Sequence, residues 1–84
     1  MNSANFHYVY ILQSLKVPER YYVGQTADLR SRLDKHNVGA VPHTSKFTPW
    51  RIKAAIALLD RERAVALESY LKSSSGRAFA KKHF

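Results

Sequence analysis

The hydrophobic residues of this 84-residue chain fall into short runs, and the period of these runs changes from that of strands to that of helices. From Phe6 to Leu12 the chain is rich in Tyr, Val and Ile, and its side chains alternate between two faces, which predicts a strand. A second short strand is predicted over Tyr21 to Gln25. Because only a short loop containing Pro18 separates the two strands, we expect them to pair antiparallel.

A helical period follows this hairpin. Leu29 and Leu33 lie four residues apart and form the apolar stripe of a helix predicted over Ala27 to His36, with Thr26 as its N-cap. The next stretch, Val38 to Trp50, contains glycine and two prolines and is expected to form an ordered loop.

The second half of the chain predicts one more strand and two helices. Arg51 to Leu59 is ambiguous by period, and its short length and the Asp60 that follows favour a strand. Asp60 should cap a helix from Arg61 to Lys72, and a break at 73–76 should separate it from a short helix over Arg77 to His83. The order β-β-α-β-α-α predicts an α+β fold, a small three-stranded antiparallel sheet flanked by helices, in a single domain over residues 1–84.

The net charge narrows the classes of partner. The chain carries 14 Lys and Arg against 6 Asp and Glu, a net charge of +8, which favours a polyanionic partner such as nucleic acid. The basic residues are not gathered on one long amphipathic helix, so an acidic membrane surface is less favoured, and no apolar run approaches the roughly 18–20 residues of a membrane span. The chain has no cysteine, which excludes disulfides and thiolate metal sites, and Met1 to Phe6 has no signal-peptide pattern. These features fit a cytoplasmic protein.

Glu68 is the most informative single carboxylate. It lies three residues after Val65 and three before Leu71, on or beside the apolar stripe of its helix. A carboxylate in such a place is rarely buried unless it is paired or binds a metal ion. The residues alone favour a glutamate that reaches solvent or pairs with Lys72 at i+4.

Arg32 and His36 lie four residues apart and share one helix face. A guanidinium matches the oxygens of a phosphate, and an imidazole titrates close to neutral pH, where it can transfer protons. Two simpler interpretations stay open: Arg32 belongs to a solvated basic face with Arg30 and Lys35, and His36 is a cation favoured at the helix C-terminus.

Two tyrosine triplets, Tyr8-Val9-Tyr10 and Tyr22-Val23-Gly24, precede this helix. Taken singly, their tyrosines read as strand aromatics that pack a sheet face. Together with the helix that follows and with Glu68, the layout resembles the GIY-YIG nuclease domain, which is named for two such triplets, over almost the whole chain. Tyr8 stands where the family name has glycine, and Gln25 stands where the repair-nuclease branch has lysine.

The resemblance implies a metal-dependent DNA endonuclease with Tyr10, Tyr22, Arg32, His36 and Glu68 as catalytic residues. Glu68 would be the metal ligand, for Mg²⁺ or Mn²⁺, which keep several waters and take phosphate oxygens as further ligands. In this hypothesis Tyr10 activates water with His36, Tyr22 orients the water and Arg32 neutralises the phosphate. We expect the 84 residues to hold no separate recognition domain. We therefore expect low sequence specificity or dependence on a partner, such as a larger repair or recombination complex.

The remaining basic and aromatic residues suggest how a nucleic acid is held. The loop containing Lys46, Phe47 and Trp50 can contact phosphates and stack on unpaired bases, which favours single-stranded DNA; duplex or branched DNA and RNA stay open. An equally weighted alternative is that Phe47 and Trp50 close the core beneath the loop. The full expected set of nucleic-acid contacts is Tyr8, Gln25, Arg30, Lys46, Phe47, Trp50, Ser75, Arg77 and Lys81. The competing function is a non-catalytic nucleic-acid-binding module or an interaction subunit of a repair complex.

Overall fold

The computed structural model describes residues 5–84, and these form the predicted order of elements. The elements are β1 (His7–Ser14), β2 (Tyr21–Thr26), α1 (Leu29–Asn37), a 3-10 turn (Ser45–Phe47), β3 (Trp50–Leu58), α2 (Arg61–Lys72) and α3 (Ser74–His83). The α+β class and the β-β-α-β-α-α order are therefore confirmed. Among these residues, no helix is both long and apolar enough to span a bilayer.

The sheet has the strand order β2-β1-β3, and both pairings are antiparallel. The central strand is thus β1, the strand of the first tyrosine triplet. In its register with β2, Tyr10 lies opposite Gly24. Ile11 pairs with Ala54 and Leu12 pairs with Ile52, so Lys53 is the extra residue of a bulge in β3.

Helices cover both faces of this sheet, because β1 alternates between two separate cores. Val9 and Ile11 point to a cluster with Ala64 and Leu71 of α2. Tyr10 and Leu12 point to the opposite face, where the cluster also contains the following residues: Trp50, Tyr22, Leu29, Leu33, Phe47 and Ile52. Residues 9–12 are consequently all buried, and α1 and α2 pack through apolar stripes onto opposite faces of the sheet, with α3 packed on α2.

The N-terminus of α1 corrects one prediction. Asp28, and not Thr26, is the N-cap: its carboxylate accepts the backbone N–H of Ser31 at 3.1 Å. Thr26 instead accepts the N–H of Asp28 through its hydroxyl at 3.1 Å. Both residue types suit a cap, and the one that lies next to the first helical turn in space takes the role. The helix therefore begins at Leu29, two residues later than predicted.

The junction between α2 and α3 corrects a second prediction. The bounds of α2 and its Asp60 cap are as predicted, but α3 begins at Ser74 and not at Arg77. Ser73 alone separates the helices, and its hydroxyl accepts the N–H of Gly76 at 3.1 Å. Gly76 is required there, because a Cβ on it would lie 1.7 Å from the carbonyl oxygen of Tyr70. The serine and glycine run that suggested a break is the first turn of α3, packed closely on the last turn of α2.

Candidate active site

The phenol of Tyr10 lies across the neighbouring strand at Gly24. A Cβ on Gly24 would lie 2.5 Å from the Tyr10 hydroxyl oxygen and 2.7 Å from Cζ, closer than any side chain tolerates. The absence of a side chain at this position therefore creates the space that the Tyr10 ring occupies. The antiparallel register places Tyr10 of the first triplet opposite Gly24 of the second, so both triplets contribute to the same part of the site.

The Tyr10 hydroxyl heads a buried chain of hydrogen bonds. It lies 3.0 Å from Nε2 of His36, and Nδ1 of His36 lies 2.8 Å from the hydroxyl oxygen of Thr44. The Thr44 hydroxyl donates its single hydrogen to the carbonyl of Val41 at 3.3 Å, so it accepts from Nδ1. The proton of neutral His36 therefore resides on Nδ1, and Nε2 has a free lone pair that accepts the Tyr10 O–H.

Arg32 and Tyr22 complete the group around this hydroxyl. The Nε of Arg32 donates to the Tyr10 oxygen at 3.4 Å. The Tyr22 ring lies 5.0 Å from the His36 ring and 6.4 Å from the Tyr10 ring, between centroids. Leu29 and Leu33 fix the rotation of α1 by packing on the Tyr10 face of the sheet, and this rotation directs Arg32 and His36 to the tyrosines.

Burial and charge shift the pKa values of three of these groups. Burial raises the pKa of Tyr10, and the hydrogen bond and positive charge of Arg32 oppose that rise. The hydrogen bond with Tyr10 raises the pKa of Arg32. Burial, and secondarily the charge of Arg32, lowers the pKa of His36 below its usual value, so the ring is neutral at pH 7. A neutral imidazole next to a phenol under a guanidinium is arranged to accept the phenol's proton.

Glu68 is part of the same electrostatic environment, since its negative charge also raises the pKa of Tyr10. One of its oxygens accepts the side-chain N–H of Gln25 at 2.8 Å, and the other lies 3.0 Å from the ammonium of Lys72. The pairing with Lys72 that the i+4 spacing suggested is therefore present. The carboxylate side chain keeps 20% of its surface exposed, so it is accessible from solvent.

The predicted catalytic residues are thus brought together, whereas the predicted nucleic-acid residues are dispersed. Trp50 is 4% exposed and its indole donates to the carbonyl of Thr44 at 3.0 Å, so it closes the core and is not free to stack on a base. Phe47 is half-buried against that core, and Tyr8 is half-buried beside Phe6. Gln25 is hydrogen-bonded to Glu68. The remaining members of the set are exposed: Arg30, Lys46, Ser75, Arg77 and Lys81.

Sequence reasoning missed the roles of two residues of the site. Thr44, which fixes the tautomer of His36, was not a candidate, and Gly24 was noted only as the end of the second triplet and not as the residue that makes room for Tyr10. The hairpin register contained a signal for Gly24, because it placed the glycine opposite a tyrosine. Thr44 lies in an irregular loop, where no periodicity could have identified it.

The carboxylate of Glu68 is an oxygen donor of the kind that a hard divalent cation takes. Within residues 5–84 no group of three or more His, Cys, Asp or Glu side chains converges, so a metal ion bound at Glu68 would have this carboxylate as its acidic protein ligand. A protein site with one carboxylate suits Mg²⁺ or Mn²⁺, whose other ligands are water and substrate phosphate, and does not suit Zn²⁺ or Ca²⁺.

Comparison with known families agrees with this arrangement. The family model of the GIY-YIG catalytic domain matches residues 6–82. The chain therefore belongs to the GIY-YIG family, and the resemblance read from its triplets is confirmed. Membership supports a nuclease-type function with DNA as substrate, in a family that typically uses divalent metals. A search of curated proteins finds no match.

Proposed function

We propose that this protein is a metal-dependent DNA endonuclease that hydrolyses phosphodiester bonds. The observation that carries the proposal is the buried chain from Tyr10 to His36 to Thr44, with Arg32 donating to the same phenol and Glu68 within electrostatic reach. A packing role for the tyrosines needs neither a defined histidine tautomer nor a guanidinium at the hydroxyl.

The hydrogen bonds support one direction of proton transfer. Nε2 of His36 accepts the proton of Tyr10 as the Tyr10 oxygen accepts a proton from water, and the hydroxide so formed attacks phosphorus. Arg32 stabilises both the phenolate and the charge that builds on the phosphate oxygens. Tyr22, beside the His36 ring, orients the water. Glu68 would hold a divalent ion, which when bound would supply Lewis-acid stabilisation of the charge on the leaving 3′ oxygen.

The first test is cleavage of end-labelled single-stranded and duplex DNA of one sequence, with Mg²⁺, Mn²⁺ or EDTA. We expect the parent chain to cleave DNA only when a metal ion is present. Glu68→Gln should not cleave, although its side chain keeps the size of glutamate and can still accept the hydrogen bond from Gln25. Tyr10→Phe should reduce turnover by about 10²-fold or more, since it removes the proton-transfer group. DNA binding without cleavage by the parent chain in every metal would reject the enzyme in favour of a binding module.

Arg32 gives a sharper test of the assigned roles. Arg32→Ala and Tyr22→Phe should lower turnover by about 10²-fold while changing DNA affinity little, because each acts on the reacting groups. Lys35→Ala is the matched control: it removes one positive charge from an exposed position of the same helix. If the Arg32→Ala and Lys35→Ala variants cleave DNA equally fast, the catalytic role assigned to Arg32 is wrong.

We further propose a preference for single-stranded DNA, together with low sequence specificity. Trp50 is buried, so support comes from another surface: Tyr70, Phe79 and Phe84 are 43%, 41% and 41% exposed. The Phe79 ring contacts the rings of both Tyr70 and Phe84, and its centroid lies 4.5 Å from that of the His83 ring. Lys81, Lys82 and His83 form the basic last turn of α3. Exposed rings beside cations suit unpaired bases and their phosphates.

This preference has its own test. Phe79→Ala should weaken single-strand binding by about fivefold or more and leave duplex binding nearly unchanged, because only unpaired bases offer a free face for stacking. Equal losses for both strand forms would remove the support that this surface gives, without affecting the catalytic assignment.

A further inference from the structure

Both oxygens of Glu68 already have partners. The side-chain amide of Gln25 donates to Oε1 at 2.8 Å, and the ammonium of Lys72 lies 3.0 Å from Oε2. Lys72 comes from the next turn of α2, whereas Gln25 comes from β2, so the carboxylate is held between two elements. The two partners differ in charge, and this difference sets their effects on a bound cation.

A divalent cation and an ammonium cannot share one carboxylate oxygen without repulsion. A metal that binds Oε2 must therefore displace Lys72, whose side chain is 51% exposed and free to move into solvent. The Gln25 amide carries no net charge, so it can stay on Oε1 while Oε2 binds a metal. It then orients the carboxylate, as outer partners of metal ligands commonly do.

The direction in which Lys72 can move is also informative. Its Nζ lies 6.0 Å from the centre of the ring of Tyr22, one of the tyrosines of the candidate site. An ammonium released from Glu68 at this position is close to where the substrate phosphate would lie under the proposed mechanism. Lysine is a flexible point charge that can exchange a carboxylate for a phosphate.

We propose that Lys72 is the resident cation of Glu68 in the free protein and is displaced when the metal binds, and that Gln25 is a positioning residue for the same carboxylate. The inference rests on the proposed metal role of Glu68. Lys72 then competes with the metal for Glu68, whereas Gln25 orients Glu68 for metal binding. Substituting Lys72 should therefore raise metal affinity, and substituting Gln25 should lower it.

The simpler interpretation is that Lys72 and Glu68 form an ordinary i,i+4 surface pair that stabilises α2. Such a pair would influence metal binding only through net charge. Lys82→Met tests for that effect, because it removes the same charge from α3 and the ammonium of Lys82 makes no ion pair with Glu68 among residues 5–84.

The experiment is a titration of Mn²⁺ into each protein without DNA, followed by the electron paramagnetic resonance signal of free Mn²⁺, with circular dichroism as the check of folding. We expect Lys72→Met to bind Mn²⁺ about tenfold more tightly than Lys82→Met, since repulsion at the ligand is removed. Gln25→Met, which keeps the length of the side chain without its amide, should bind about tenfold more weakly than the parent. Glu68→Gln should abolish the site in every background.

The outcomes separate the inference from the function beneath it. If Mn²⁺ binds through Glu68 but Lys72→Met and Lys82→Met have equal affinities, Lys72 is not a competitor and the inference is wrong while the metal site stands. If Glu68→Gln leaves Mn²⁺ binding unchanged, or neither the parent nor Lys72→Met binds the ion, the metal role of Glu68 fails and the inference fails with it.

Discussion

At the scale of single residues, Tyr10 shows how the fold can surround a common strand residue with groups that bind its hydroxyl and shift its pKa. The residue is 2% exposed, and its hydroxyl forms hydrogen bonds with the imidazole of His36 and the guanidinium of Arg32. Burial alone would keep the phenol protonated, and Arg32 works against that effect. The contacts with His36 and Arg32 both depend on the position of the Tyr10 ring, and the absence of a side chain at Gly24 allows that position.

Gly24→Ala should therefore damage both stability and activity. The added methyl overlaps the hydroxyl and Cζ of Tyr10, and displacing the ring from a packed core costs about 1–3 kcal/mol of unfolding free energy. Urea unfolding measures this loss. In a Tyr10→Phe background the cost of Gly24→Ala should be smaller, because the nearest clashing atom is gone. Equal costs in both backgrounds would contradict the proposed overlap.

His36 should make the stability of the protein depend on pH. Its folded pKa is lowered, so the folded state resists a proton that the unfolded chain takes up at about pH 6.5. The stabilisation is complete above that pH and is lost as pH falls toward the folded pKa. Parent protein should lose more unfolding free energy between about pH 7.5 and pH 5.5 than His36→Gln does. Identical losses by urea titration would show that His36 is not the responsible group.

At the scale of elements, the helix ends determine how the site is assembled. Asn37 at the end of α1 accepts the backbone N–H of Trp50 at 2.6 Å and donates to its carbonyl at 3.1 Å. These bonds attach the C-terminus of α1, and with it His36, to the start of β3. On the other face, Ser73 ends α2 and begins α3 in a single residue.

Ser73→Ala tests the importance of that junction. The hydroxyl accepts the N–H of Gly76, so its loss leaves the first turn of α3 without this cap, whereas the carbonyl of Tyr70 still accepts the backbone N–H of residue 73. We expect a loss of about 1 kcal/mol, the usual cost of removing an N-cap, measured by urea unfolding. Ser74→Ala, one residue later, is the matched control and should be nearly neutral. A similar loss in both variants would exclude the capping explanation.

At the scale of the whole molecule, the net charge of +8 governs encounter with nucleic acid more than any single contact does. Lys46 and Arg77 are exposed cations on separate elements, and under the proposed function they would supply phosphate contacts that carry no sequence information. Affinity should accordingly fall steeply with salt concentration and differ little between DNA sequences.

Lys46→Ala should weaken DNA binding to a similar degree for all sequences and reduce the slope of log affinity against log salt by about one. Lys46→Arg keeps the charge and should retain the parental slope. A sequence-dependent loss in Lys46→Ala, measured by fluorescence anisotropy, would indicate a base contact instead.

The amino-acid sequence by itself determined the type and order of the elements, because strand and helix periods and the Asp60 cap are local properties; it did not determine where α1 and α3 begin. It also identified the catalytic candidates through the family's triplets and Glu68. Tertiary structure alone decided the contacts between distant segments: the bond of His36 to Thr44, the overlap of Tyr10 with Gly24, and the burial of Trp50. Local sequence cannot specify these, because each depends on strand register and helix rotation, which are fixed only when both faces of the sheet are packed.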